Sequence, residues 1–160
     1  MAARGHLIVS VAEELRPQRL FELFLSHRQS LGMEILGLSR EAQVGRRLAR
    51  RLAENRVVAL VADRDLTGRG VEVTMFGAVR RIPAGPALLA ISTGAPIIVT
   101  PAYQVGGGWR IVFGAPLSIE LSGDRRRDVT ALTRLMAEEF ERAISAAPSD
   151  WHQFQPAWAP

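Results

Sequence analysis

The residues best suited to chemistry fall in one run: Asp63, Arg64, Asp65, Arg69 and Glu72, interleaved with Gly68 and Gly70. Carboxylates can orient or accept a proton, and guanidinium groups can hold a phosphate or polarise a carbonyl oxygen. The uncharged stretch Val57 to Ala62 comes just before, so the pattern predicts a strand buried on both faces that opens into a Gly-rich loop at its carboxyl end. Open α/β sheets hold their ligands at that end. Two readings remain open on spacing alone: a polar site, or a solvated loop whose charges neutralise one another. Gly68, Gly70 and Gly77 make no dinucleotide fingerprint, because no helix opens directly from them.

Elsewhere the candidate chemistry is sparse. His6, His27 and His152 lack a second ligand at metal spacing, so no metal site is expected. The chain has no cysteine, which excludes disulfides and thiolate catalysis. All 20 basic residues are arginine, with a net charge of +4, a balance that suits anionic partners without choosing among them. Arg46, Arg47, Arg50 and Arg51 share one helical side, and Arg125 to Arg127 open the last helix against its dipole, which hints at an anionic neighbour.

The elements that must position these residues alternate strand and helix. His6 to Val11 reads as a strand, Pro17 to about Gly32 as a helix with the stripe Leu20, Phe21, Phe24 and Leu25, and Met33 to Leu36 as a second strand. Ser39 reads as the N-cap of a helix reaching about Asn55. Beyond the charged loop, Val71 to Phe76 fits a strand and Pro83 to Gly94 contains a short apolar helix. Ala95 to Tyr103 is the strongest strand signal, and Gly106 to Gly108 turns into Trp109 to Phe113 as a returning hairpin arm. Asp124 to about Ala146 is an amphipathic helix with Val129, Leu132, Leu135, Met136, Phe140 and Ile144 on one face. The fold class expected is α/β, with a mostly parallel central sheet flanked by helices. Trp151, Phe154 and Trp158 suit a tail packed on the domain or a place at a membrane interface, and the pattern leaves both open.

The blocks Val57 to Asp65, Gly70 to Gly77, Pro83 to Ala87 and Gly94 to Pro101, with Val11 to Pro17, His27 to Glu34 and Pro148 to Phe154 around them, carry a resemblance. Together they resemble the later half of the lipid A biosynthesis type of lysophospholipid acyltransferase family. Within it they are most similar to actinobacterial phosphatidylinositol mannoside acyltransferases. The resemblance implies an incomplete acyltransferase-like α/β fold, with residues 1–147 as the C-terminal portion of the domain and residues 148–160 as an aromatic and Pro-rich tail packing on it.

It also implies the activity: transfer of a fatty acyl group from acyl-CoA to a glycolipid hydroxyl, with no cofactor. The implied partners are acyl-CoA, an anionic glycolipid acceptor, the inner-leaflet membrane surface and the missing upstream half, with no nucleic acid. The implied location is peripheral, on the cytoplasmic face of the plasma membrane. By resemblance, Glu13, Asp63 and Glu72 are candidate catalytic residues, and Arg28, Arg64, Arg69 and Gly70 candidate substrate-binding residues. Glu13 also suits a helix-start acid, and Arg28 a solvated helix face.

Members of the family use a His-x-x-x-x-Asp motif, whose histidine is the general base on the acceptor hydroxyl. Five positions after His6, His27 and His152 stand Val11, Gly32 and Ala157. The resemblance therefore implies that the motif lies upstream of Met1 and that the chain alone is inactive. From another class, a non-catalytic module binding phospholipid headgroups or nucleic acid through the arginines is the alternative.

Overall fold

The computed structural model describes residues 6–13, 16–38, 41–65, 67–153, 156 and 158. They group into two compact units, Met1–Val61 and Ala62–Pro160. Ser39 and Phe154 lie outside the described residues.

The first unit alternates strand and helix: β1 (Ile8–Ala12), α1 (Gln18–Ser30), β2 (Met33–Gly37), α2 (Glu41–Ala53) and β3 (Val57–Ala59). The strands form a parallel sheet in the order β2-β1-β3, with Val9 opposite Glu34 on one side and Val58 on the other. Parallel strands need long crossovers, which the helices supply. Val9, Phe21, Leu36, Val44 and Leu48 are buried. Of the expected α1 stripe only Phe21 is among the buried residues, while Leu20 is 48% exposed.

The third strand differs from expectation. It spans only Val57–Ala59, Ala59 is exposed, and Val61 is 89% exposed. It pairs with β1 alone among the described residues and so is an edge strand of this sheet.

The second unit is built mainly from hairpins: β4 (Val71–Met75), β5 (Ala78–Ile82), α3 (Gly85–Thr93), β6 (Ile97–Ile98), β7 (Ala102–Val105), β8 (Gly108–Ile111), β9 (Pro116–Leu117) and α4 (Arg125–Ala146), then a short 3₁₀ turn at Pro148–Asp150. The pairs β4-β5, β6-β9 and β7-β8 are all antiparallel and two-stranded. The architecture is thus mixed α/β, with parallel pairing in one three-stranded sheet rather than in a large central one. The expected strand from Ala95 to Tyr103 is two short strands, because Pro96 and Pro101 have no amide hydrogen for a ladder and bracket Ile97 and Ile98.

α4 contributes to both buried clusters of this unit. Val73, Ile82 and Ala137 form one buried cluster with Val71 and Phe140 against it, and Ala87, Val129 and Leu132 form another. Asp124 caps α4 by accepting from the amides of Arg126 (2.9 Å) and Arg127 (3.2 Å). Inside the first turn, the buried Asp128 accepts from the Ser122 hydroxyl at 2.6 Å and its amide at 2.9 Å. These hydrogen bonds, the hydroxyl's first, hold Asp128 below the usual carboxylate range, and the charge of Arg127 adds to them. Two local acids therefore offset the arginine run at this helix start.

Candidate active site

The loop between β3 and β4 is organised by Asp65. Its Oδ1 accepts from the Thr67 amide and hydroxyl, both at 2.9 Å, and its Oδ2 from the Gly70 amide at 2.6 Å. Burial alone would raise the pKa of this carboxyl, but the amides of Thr67, Gly70 and Gly68 with the Thr67 hydroxyl outweigh it and hold the pKa of Asp65 below its ordinary value. Asp65 is thus a scaffold for the turn, its acceptor sites spent on the loop's own backbone.

Gly70 is required by space. A Cβ there would overlap the Ile82 carbonyl oxygen and stand 2.7 Å from Asp65 Oδ2. The close approach brings the loop against the β4-β5 hairpin, so the Gly70 expected to contact substrate serves first as a packing position. Glu72, on β4, faces Arg81 of β5 across the hairpin, with 2.7 Å between Oε1 and Nη2. Arg81 also donates to the Gly68 carbonyl oxygen at 2.8 Å. Both side chains are largely exposed, at 63% and 47%.

Asp63, which follows the buried Ala62, is half-buried and held from two directions. Its carbonyl oxygen accepts from Arg80 Nη2 at 2.6 Å, and its carboxylate Oδ2 accepts from the indole of Trp151 at 2.8 Å. Arg80 is buried, 4% exposed, and its guanidinium carbon lies 5.5 Å from the Trp151 ring centroid and 5.4 Å from that of Trp158. Such distances fit cation–π attraction, which strengthens when the cation is desolvated. Burial pushes Arg80 below its ordinary value, and the charge of Asp63 offsets part of the effect. Arg80 Nε is buried without a hydrogen-bond partner among the described residues.

The aromatic side of this cluster is continuous. Phe76 lies 6.5 Å from Trp151 and 6.2 Å from Trp158, and the two indoles meet edge-on at 6.1 Å. Trp158 donates to the Met75 carbonyl oxygen at 3.2 Å. Phe76 adopts φ of 53°, uncommon for a bulky residue, and its amide donates to Glu141 Oε2 of α4 at 2.9 Å. Beside the cluster, Asp150 Oδ2 accepts from the Gln104 amide at 2.9 Å.

Of the candidate residues, Asp63, Arg64, Arg69, Gly70 and Glu72 share the second unit, with Arg64 half-buried and Arg69 exposed. Glu13 and Arg28 belong to the first: Glu13 is exposed just past β1, and the Arg28 guanidinium lies 5.1 Å from the Phe24 ring centroid one turn back. Sequence reasoning missed Arg80 and β5 altogether. The signal available was the two-residue alternation of Ala78-Val79-Arg80-Arg81-Ile82, which puts Arg80 on the side of Ile82. Among the described residues no group of acidic, histidine or cysteine side chains could hold a metal ion.

Comparison with known proteins gives concordant results. The family model described as bacterial lipid A biosynthesis acyltransferase matches residues 1–159. Over 159 residues, 99% of this chain and 49% of the relative, the sequence is 43% identical to a protein of Mycobacterium tuberculosis (strain ATCC 25618 / H37Rv) named phosphatidylinositol mannoside acyltransferase. A protein of the same name from Mycolicibacterium smegmatis is 43% identical over 150 residues, covering 93% of this chain and 48% of that relative. The chain spans about half the length of the curated relatives it matches.

Proposed function

We propose, from a chain that belongs to the bacterial lipid A biosynthesis acyltransferase family, that it contributes one part of an enzyme moving a fatty acyl group from acyl-CoA to a hydroxyl of a glycolipid, with phosphatidylinositol mannoside as acceptor. The observation that carries this reading is the 43% identity, over 99% of the chain, to a protein named for that acceptor.

In this chemistry the acceptor hydroxyl loses a proton as its oxygen attacks the thioester carbonyl. The tetrahedral oxyanion then collapses, and the CoA sulfur leaves. The base in the family is the histidine of His-x-x-x-x-Asp, and none of His6, His27 or His152 has Asp at the fifth position after it. In this reading the chain supplies the surrounding charge. Glu13, Asp63 and Glu72 are the carboxylates available to orient a base or bind acceptor hydroxyls, with Asp63 the half-buried and doubly anchored one. Arg28, Arg64 and Arg69 are the cations available for the phosphates of CoA or of the acceptor. No cofactor is called for.

No helix among the described residues is long and apolar enough to cross a membrane. We place the enzyme peripherally, at the cytoplasmic face of the plasma membrane, where a water-soluble thioester meets a lipid acceptor. The test is an assay of the full-length gene product with radiolabelled palmitoyl-CoA and purified phosphatidylinositol mannoside. A labelled glycolipid carrying one further acyl chain is expected. Hydrolysis to free palmitate with no labelled glycolipid would overturn the reading.

A further inference from the structure

We propose that Arg80 and Trp151 are positioning residues for Asp63, together fixing both its main chain and its carboxylate in the acyl-transfer site. The inference rests on the proposed function, through the role given there to Asp63.

Three observations lead to it. First, the two hydrogen bonds on Asp63 come from residues far apart in the chain, one 17 positions away on β5 and the other 88 positions away after α4. Local turn chemistry makes neither. Second, they divide the work. Arg80 holds the carbonyl oxygen at 2.6 Å, and the Trp151 indole takes one acceptor site of the carboxylate at 2.8 Å. A carboxylate offers about four such sites, so the remainder can still meet an imidazole or a hydroxyl, which Asp65 cannot do with its sites turned onto the loop.

Third, the buried cation is a poor choice for packing alone. Arg80 is 4% exposed, and its Nε has no partner among the described residues. An apolar side chain of similar volume would fill the space against the indoles without that unsatisfied donor. What an apolar residue cannot do is donate to the Asp63 carbonyl. The two indoles pack against the guanidinium, the guanidinium holds the Asp63 main chain, and Trp151 aims the side chain.

The experiment compares Trp151→Phe, Arg80→Met, Asp63→Ala and the Trp151→Phe/Asp63→Ala double variant in the full-length gene product. Trp151→Phe keeps an aromatic ring and removes only the donor. We expect it to lower kcat by about tenfold or more, with KM for palmitoyl-CoA changed by less than about threefold, because misplacement of a reacting group acts on the chemical step. The double variant should be no slower than Asp63→Ala by more than about twofold, since the two residues act through one carboxylate. Arg80→Met should show the same kcat loss at a temperature where its fold is intact by circular dichroism. In nitrogen-15 spectra the Trp151 indole resonance should move, and its proton exchange at least about tenfold faster, in Asp63→Ala.

Wild-type kcat in Trp151→Phe, or fully multiplicative losses in the double variant, would overturn the proposal. If the wild-type protein transfers no acyl group, the proposed function fails, and the indole resonance still decides the contact. An unmoved resonance in Asp63→Ala rejects the positioning, and a moved one supports it.

Discussion

Arg51 in the first unit and Arg80 in the second are both held by several partners, yet their surroundings differ. Arg51 donates to Glu34 at 2.8 Å and to Glu54 at 2.9 Å, while Arg47, Arg50 and Arg56 crowd the same two acids. The hydrogen bonds to Glu34 and then Glu54 raise Arg51 above its ordinary value, and the one from Arg51 lowers Glu54. Arg80 instead donates to a carbonyl oxygen and lies against two indoles, with burial lowering it. A partly exposed network shares its charges among many partners and is partly screened by salt, so one member can be lost more cheaply. A buried cation with one carbonyl oxygen, two ring contacts and one nearby carboxylate has less redundancy. The basic stripe on α2 is in good part occupied by two acids of the same unit, Glu34 and Glu54.

This contrast can be broken by substitution. The largest effect is expected for Arg80→Ala, which empties the space beside the indoles and strands the Asp63 carbonyl: a loss of about 3 kcal/mol in denaturant unfolding. A loss below about 1 kcal/mol would show that the cage is not a structural centre. Next comes Gly70→Ala, where the added carbon meets the Ile82 carbonyl oxygen, a backbone atom that cannot swing away. A destabilisation of about 2 kcal/mol is expected, and a thermal melt indistinguishable from wild type would contradict the close approach.

The third prediction concerns pH. Because folding depresses the Asp65 carboxyl, its stabilising contribution is present above the unfolded value of 3.8 and is lost as pH falls through the lower folded value. Asp65→Asn should therefore weaken the protein by about 1 kcal/mol at pH 7 and flatten the stability profile below about pH 4. An unchanged acid limb in urea melts would rule this out.

The smallest stability effect is expected for Glu72→Gln, since an exposed cross-strand pair contributes about 0.2 to 1 kcal/mol. Glu72 also sharpens the comparison between structure and activity. If it binds substrate, acyl transfer should fall by more than about tenfold while the melt barely moves. Parallel small changes in both would leave Glu72 as a hairpin ion pair.

Much of the fold was legible because its signals are local. The α4 stripe of Val129, Leu132 and Met136 follows helical spacing, and the structure buries all three. Gly94 ends α3 with φ of 73°, as a glycine after an apolar helix suggests. The long strand at Ala95 to Tyr103 was misread because apolar content outweighed its prolines, and the burial of Val57 to Ala62 because one strand's composition does not say how many neighbours it has. The candidate site was legible in residue type and order, but the roles within it were not. Asp63, Asp65 and Glu72 look alike in sequence and differ in what they touch: an indole, a set of amides and an arginine.

By itself the sequence determined the helices, the turn of the β7-β8 hairpin, the clustering of charge after Ala62 and the family, because each depends on residue types at short, fixed spacing or on ordered blocks. Only the tertiary structure decided that Arg80 is buried, that Asp65 is spent on its own loop, and that Trp151, 88 positions away, donates to Asp63. The physical reason is that desolvation and hydrogen bonding depend on distance in space, and the chain brings those residues together only when α4 packs against β4 and β5 and the segment after it folds back.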